Sequence, residues 1–244
     1  MVDKVMPELK SIRAFHRARY IIVHLIPQGD LILDSLASSI NNSESRIAGI
    51  VQEDLDDEQS LVSDEVDLIE DLLGVSFVIC QLGITSVVSN YPFLQKQWVN
   101  LKKQVHSEEP CTDCLGIPII KDFSKDRISK KDLLQAGNPM LNASFSKIAT
   151  IDSFANYFKH KDEWPSDWND LKGNEERTKA IIKEAGAQPA SSGNFRTGYE
   201  ALINENDSFR KVDLLWKIVI NWAEEIGNLC AEDLQKSGCF PSKP

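Results

Sequence analysis

Apolar side chains return at intervals of three and four along most of this chain, and that period commits it to helices. The clearest run is near the C-terminus, where Val212, Leu215, Trp216, Val219, Trp222, Ala223, Ile226 and Leu229 form one stripe on a helix opened at Ser208. Trp216 and Trp222 belong to that stripe and are expected in the core, since burying an indole removes a large apolar area from water. Ile148, Ile151, Phe154, Ala155 and Phe158 form a second stripe, with Ser146 as cap and Trp164-Pro165 as terminator. A further helix is expected near Glu175 to Ala185, followed by a polar loop from Gln188 to Thr197.

In the N-terminal half, Pro7 suits a first turn, and Leu9, Ile12, His16, Tyr20 and Val23 make a stripe that Pro27 ends. A second helix is expected after Asp30, and a third after an Asn42-Ser43 cap, running through Ile47, Ile50 and Val51. The acidic stretch Gln52 to Ser60 reads as a fraying end or loop. Ser63 is expected to cap a long helix, with Asp64 and Glu65 in the first turn where the dipole favours them. Pro92 should break or kink it, and Leu94, Trp98, Leu101 and Val105 carry the stripe onward. Around residues 107–140 the period is lost among Pro110, Pro118, Pro139, Gly116 and Gly137. Only the apolar run Ile117 to Ile120 and a turn of helix near Asp132 stand out there. No repeat, low-complexity tract or linker divides the chain, so the reading is all-α, a multi-helix bundle in one domain over residues 1–244 with an irregular excursion.

With 27 Lys and Arg against 37 Asp and Glu, the formal charge is −10, which argues against a broad nucleic-acid or anionic-membrane surface. The densest basic window, Lys121, Lys125, Arg127, Lys130 and Lys131, is diluted by Asp122, Asp126 and Asp132 and reads as solvated surface. Met1-Val2-Asp3-Lys4 lacks the apolar core of a signal peptide. Five cysteines (Cys80, Cys111, Cys114, Cys230 and Cys239) are an odd and sparse set, which points to free thiols in a reducing cytoplasm. Leu72 to Gln95 carries no charge, but Gln81, Gly74, Gly83, Asn90 and Pro92 interrupt it. A central helix buried on most sides fits better than a membrane span.

Chemistry concentrates on the helix that carries Asp152, Asn156, Lys159 and His160. These fall at i, i+4, i+7 and i+8, on one polar face opposite the apolar stripe. Cleavage of RNA without a metal needs a group to take the 2′-hydroxyl proton, donors to stabilise the phosphorane and an acid for the leaving oxygen. An imidazole titrates near neutrality, so His160 suits either proton transfer. Lys159 would face the phosphate, Asn156 would position an oxygen, and Asp152 would orient a ring nitrogen or cation. The same residues can equally form a hydrogen-bonded ladder, with His160 beside the negative end of the helix dipole.

The all-α pattern with an Asn-x-x-Lys-His cluster closing an inner helix resembles the HEPN superfamily of helical ribonucleases and their inactive relatives. Phe154-Ala155-Asn156-Tyr157-Phe158-Lys159-His160-Lys161-Asp162-Glu163-Trp164 carries most of that resemblance. It implies a helical bundle, often a homodimer, with a composite RNA-cleaving site in active members and a toxin or defence role. The chain departs from the usual signature, an Arg and a polar residue followed by a His four to six residues past the Arg. Counted back from His160, those positions hold Ser153, Phe154 and Ala155. Arg19 and His24 have the spacing, but Tyr20 replaces the polar neighbour. Arg13, His16, Arg17, Tyr20 and His24 share one helix side, so Arg13, Arg19 and His24 are candidate partners for a composite site. Two functions from different classes follow. One is a metal-independent endoribonuclease acting on RNA, and the other is a non-catalytic helical module that binds or neutralises a protein partner.

Three further motifs carry less. Cys111-Thr112-Asp113-Cys114, with His106 before it, has the spacing of a zinc knuckle, but no second pair exists, so a fourth ligand such as Cys80 or Glu108 would be remote. No other cofactor is expected. Trp164-Pro165-x-x-Trp168 invites a ligand-pocket reading. Gly193-Asn194-Phe195-Arg196 could cradle an anion, although a lone glycine gives no phosphate-loop signature.

Overall fold

One helix of 48 residues, Glu58–Val105, organises much of the chain. Its buried side chains repeat in sevens: Phe77, Ile84, Tyr91 and Trp98 at one register, and Cys80, Val87, Leu94 and Leu101 at the other. This is the seam a helix shows to neighbours packed nearly parallel to it. In the computed structural model, which describes residues 7–24, 29–53, 57–105, 129–136, 144–203, 211–236 and 238, this helix is α3. The others are α1 (Leu9–His24), α2 (Gly29–Glu53), α4 (Lys130–Gln135), α5 (Lys147–His160), α6 (Asn174–Glu184), α7 (Asn194–Ile203) and α8 (Asp213–Lys236), with a 3-10 turn at Lys161–Glu163 after α5. The described residues contain no β-strand, and the fold is an all-α multi-helix bundle.

The chain divides into two compact units. The first comprises Met1–Pro27, Thr85–Asn138 and Ile220–Pro244, and the second Gln28–Ile84 and Pro139–Val219. In the first, Phe15, Ala18 and Ile22 of α1 are buried, as are Tyr91, Leu94 and Trp98 of α3 and Trp222, Ile226 and Leu234 of α8. Trp222 also donates its indole N–H to the Ala136 carbonyl at 2.9 Å. In the second, α5 is the most enclosed element, with every residue from Ile148 to Ala155 buried. Its aromatic side chains seat in notches left by glycines. A Cβ on Gly74 of α3 would overlap the Phe158 ring, and one on Gly198 of α7 would stand 2.5 Å from the Phe154 ring. Gly29 and Gly83 make the same allowance for the Trp216 indole, at 2.7 and 2.8 Å.

Several sequence expectations change. The Asn42-Ser43 cap does not exist, because α2 runs unbroken from Gly29 to Glu53. Ser35, Ser38, Ser39 and Ser45 donate their hydroxyls to carbonyls one turn back, at 2.8–3.1 Å, so these residues are satisfied within the helix instead of ending it. Ser63 is likewise interior. The Asp57 carbonyl accepts from the Ser60 and Leu61 N–H groups at 3.1 Å, so the end of the acidic stretch opens α3, where the dipole favours Asp57 and Glu58. Pro92 lies within α3 without breaking it. An interior proline costs about 3 kcal/mol. Pro92 faces solvent, while its neighbours Tyr91, Leu94 and Trp98 are 2%, 0% and 4% exposed, and burial at about 1.5–3 kcal/mol each outweighs that cost.

On α1 the expected stripe is displaced. Leu9 and Tyr20 are 61% and 55% exposed and His16 is exposed, whereas Val23 of that stripe is buried, alongside Phe15, Ala18 and Ile22. The expected stripe shares its side with Arg13 and Arg17, and burying those guanidinium groups unpaired would cost more than the apolar gain. The expected loop from Gln188 to Thr197 already contains the start of α7. The cap at Ser146 is present and accepts from the Ala149 N–H at 3.0 Å. The turn of helix near Asp132 is α4. Ile117 to Ile120 and Ser208 lie outside the described residues. Between Leu72 and Gln95, exposure is confined to a narrow line of Leu82, Thr85, Ser89, Pro92 and Phe93. By length and hydropathy α3 is able to cross a membrane, and half of its most apolar window is buried inside the protein.

Candidate functional site

On the polar face of α5, Asp152 is buried, Asn156 is half-buried and Lys159 is exposed, and Gln81 of α3 is their hub. The Gln81 side-chain amide donates to Asp152 Oδ1 at 2.8 Å, to the Asp152 carbonyl at 3.2 Å and to Asn156 Oδ1 at 3.0 Å. Its own oxygen accepts from Lys159 Nζ at 2.7 Å, and Asn156 Nδ2 reaches Asp152 Oδ2 at 3.4 Å. Gln81 is 8% and Asp152 7% exposed. An amide placed so deep must find partners or lose about 1–3 kcal/mol, and here one amide ties two helices. Three of the four residues expected at a site, Asp152, Asn156 and Lys159, therefore meet at Gln81.

His160 does not join them. Its Nδ1 lies 3.2 Å from Glu163 Oε2, three residues on, and the two side chains are 52% and 71% exposed. The last turn of α5 carries His160 outward as the chain tightens into the 3-10 turn. Lys161 also points away from the cluster, pairing with Asp71 at 2.8 Å and lying over the Phe158 and Phe195 rings at 5.0 and 5.7 Å.

Arg13, Arg19 and His24 lie on α1, in the first unit. Arg13 is exposed, Arg19 donates to Asn228 Oδ1, and the His24 ring packs against Tyr20 at 4.8 Å. His106, Cys111, Cys114 and Glu108 lie outside the described residues. Among the described residues, no three His, Cys, Asp or Glu side chains gather to hold a metal ion. Cys80 and Cys230 are buried free thiols. Burial pushes the Cys80 thiol far above its ordinary range and Cys230 up to about 12, the latter helped by Asp233 and opposed by Lys102.

The tryptophans of Trp164-Pro165-x-x-Trp168 belong to an aromatic cluster, with the two indoles edge to face at 5.5 Å. Tyr157 packs on Trp164, Trp168 and Phe195 at 4.9, 5.5 and 5.5 Å. Trp168 adopts φ 59°, a left-handed conformation that costs a bulky residue about 1–3 kcal/mol. Its ring is 3% exposed, and its carbonyl accepts from Lys179 Nζ at 3.0 Å, so packing and that bond hold the strained turn.

The Gly193-Asn194-Phe195-Arg196 segment does cradle an anion, and the anion is the protein's own. Glu70 of α3 accepts from the Phe195 and Arg196 N–H groups of α7 at 2.9 and 3.2 Å, which caps the helix where its dipole is positive. Burial pushes the Glu70 carboxyl above its ordinary value near 4.5, opposed by those two N–H donors and by the charges of Arg196 and Lys161. A carboxyl raised on folding binds its proton more tightly in the folded state. The stability it contributes is full below about pH 4.5 and is lost as pH rises through the folded value. Urea denaturation across pH 4 to 7 should therefore show the wild type losing stability relative to Glu70→Gln as pH rises. An unchanged difference would mean that the cap, not burial, governs this carboxyl. Sequence reasoning missed both Gln81 and Glu70, whose partners lie 71 and more residues away. The one visible signal was the solitary amide in a charge-free stretch.

No family model matches this chain, and neither a curated protein nor a solved structure is significantly similar to it.

Proposed function

We propose that this chain is a non-catalytic helical interaction module, in which the polar groups of α5 serve the fold instead of a reaction. The observation that carries this reading is the closure around Gln81. Its amide and carbonyl engage Asp152, Asn156 and Lys159, so the groups that would grip a phosphodiester are occupied by one another. His160, the one group suited to proton transfer, is turned toward Glu163. General acid–base catalysis needs that group within hydrogen-bond reach of the reacting oxygen while donors face the phosphate.

The test compares the purified wild type with His160→Ala on labelled RNA in the presence of EDTA. The expected result is background cleavage for both. Cleavage by the wild type that disappears in His160→Ala would replace this reading with the HEPN-like ribonuclease. In parallel, Gln81→Leu should lower stability by about 1–3 kcal/mol, because it takes one amide donor from the buried Asp152 carboxylate and leaves the hub of the cluster empty. A loss within about half a kcal/mol, as for an ordinary surface change, would remove the structural role assigned to the cluster.

A further inference from the structure

Among the described helices, α1 carries the largest excess of positive charge. Leu9–His24 contains Lys10, Arg13, Arg17 and Arg19, with His16 and His24, and no acidic residue, in a protein whose formal charge is −10. The buried face of this helix is Phe15, Ala18, Ile22 and Val23. What remains outside is ordered. Lys10, Arg13, Arg17, Tyr20 and His24 are all exposed and fall at i, i+3, i+7, i+10 and i+14, which makes a single line along the helix. At 1.5 Å per residue that line is about 21 Å long. Three cations occupy its first half. Its second half ends in the Tyr20 and His24 rings, 4.8 Å apart and inclined by 48°. Among the described residues, no carboxylate pairs with Lys10, Arg13 or Arg17. Tyr20 is 55% exposed, an unusual position for an aromatic ring with no core to fill.

We infer that this face of α1 binds single-stranded nucleic acid, with Lys10, Arg13 and Arg17 on the phosphates and the Tyr20–His24 ring pair stacking on a base. The inference rests on reading the chain as a binding module. Charge complementarity requires an anionic occupant. A row of cations beside exposed aromatic rings is the arrangement that tracks a sugar–phosphate backbone and accepts unstacked bases. A duplex keeps its bases stacked and would leave the rings unused. An anionic membrane surface fits poorly, because an interfacial helix inserts its apolar face, and the apolar face of α1 is already spent on the core. The overall acidity does not oppose a local site, since charges beyond about one Debye length (about 8 Å at physiological salt) are largely screened.

Fluorescence anisotropy of the full chain with labelled twelve-nucleotide oligo(U) and oligo(dT) tests this. Saturable binding is expected at low salt, with a log–log salt slope of about −2 for three phosphate contacts on a single strand. Arg13→Glu combined with Arg17→Glu should weaken binding at least about tenfold and flatten the slope by more than one unit. Lys172→Glu with Lys183→Glu, which makes the same change in net charge just before and within α6, should leave the affinity within about twofold if the effect is local. Tyr20→Ala should weaken binding without changing the slope, and Tyr20→Phe should retain it. Thermal melts of each variant establish that the fold is intact. Absence of saturable binding, equal effects of the two charge pairs, or tighter binding to polyglutamate or phosphatidylserine vesicles than to either oligonucleotide would overturn the inference. Cleavage of the bound RNA would sink the non-catalytic reading while leaving this one standing.

Discussion

Replacing Lys102 with methionine is expected to destabilise the protein by about 3–5 kcal/mol, the cost of leaving a buried charge without its partner. Lys102 Nζ lies 2.7 Å from Asp233 Oδ2, and the Asp233 side chain is only 1% exposed. Trp98 donates its indole N–H to the same oxygen at 2.8 Å, and the lysine ammonium stands 4.5 Å over the Trp98 ring. Removing the cation leaves the carboxylate with one neutral donor inside a seam of apolar side chains. The reverse change, Asp233→Asn, should cost less. The Lys102 side chain retains 17% exposure, so its ammonium is able to reach water once the carboxylate is gone. Adding Asp233→Asn to Lys102→Met should then recover part of the loss, because the uncompensated charge has been removed. Urea midpoints at an unchanged m-value measure all three variants. A loss below about 1 kcal/mol for Lys102→Met would show that the pair behaves as an exposed ion pair, screened by water.

What could be foreseen from the sequence followed physical locality. The stripe on α5 and its Ser146 cap depend on neighbours within a turn or two, and both are where the spacing puts them. Trp216 and Trp222 are buried for the same reason: an indole at core spacing on a long apolar stripe has a single favourable place. The errors lie where a distant group decides. The first turn of α7 read as loop because its capping acceptor is Glu70, 125 residues earlier in the chain. One error is local instead: a serine beside an asparagine resembles a cap, but Ser39 and Ser45 bond back within α2 and the Ser43 hydroxyl accepts from Arg46 one turn on. At the site, the gathering of Asp152, Asn156 and Lys159 was legible from their spacing. Gln81, which joins them, was legible only as an interruption, since periodicity cannot tell which helix receives a buried amide.

The second large effect should reverse its sign with context. Phe154 of α5 is 0% exposed, with Phe77 stacked 5.0 Å away and the edge of Phe195 at 6.3 Å. Its ring covers Gly198, where a Cβ would meet three ring atoms at 2.5–2.7 Å. Phe154→Ala should cost about 3–5 kcal/mol, the transfer of a ring plus the cavity it leaves. Gly198→Ala poses two opposed effects. Exchanging a helical glycine for alanine gains up to about 1 kcal/mol of propensity. Forcing a methyl into a packed core costs about 1–3 kcal/mol. Because Phe77 and Phe195 hem in the ring, the clash should win, and Gly198→Ala alone should destabilise. In the Phe154→Ala background the clash is absent, and the added methyl occupies part of the vacated space while the propensity gain persists. There Gly198→Ala should stabilise, so that the double variant is more stable than Phe154→Ala alone. A double-mutant cycle by chemical denaturation measures the coupling, which for side chains in contact runs to about 0.5–3 kcal/mol. If Gly198→Ala stabilised the wild type as well, the glycine would be an ordinary weak point of α7, and the close seating of α5 against α7 would not be what holds this unit together.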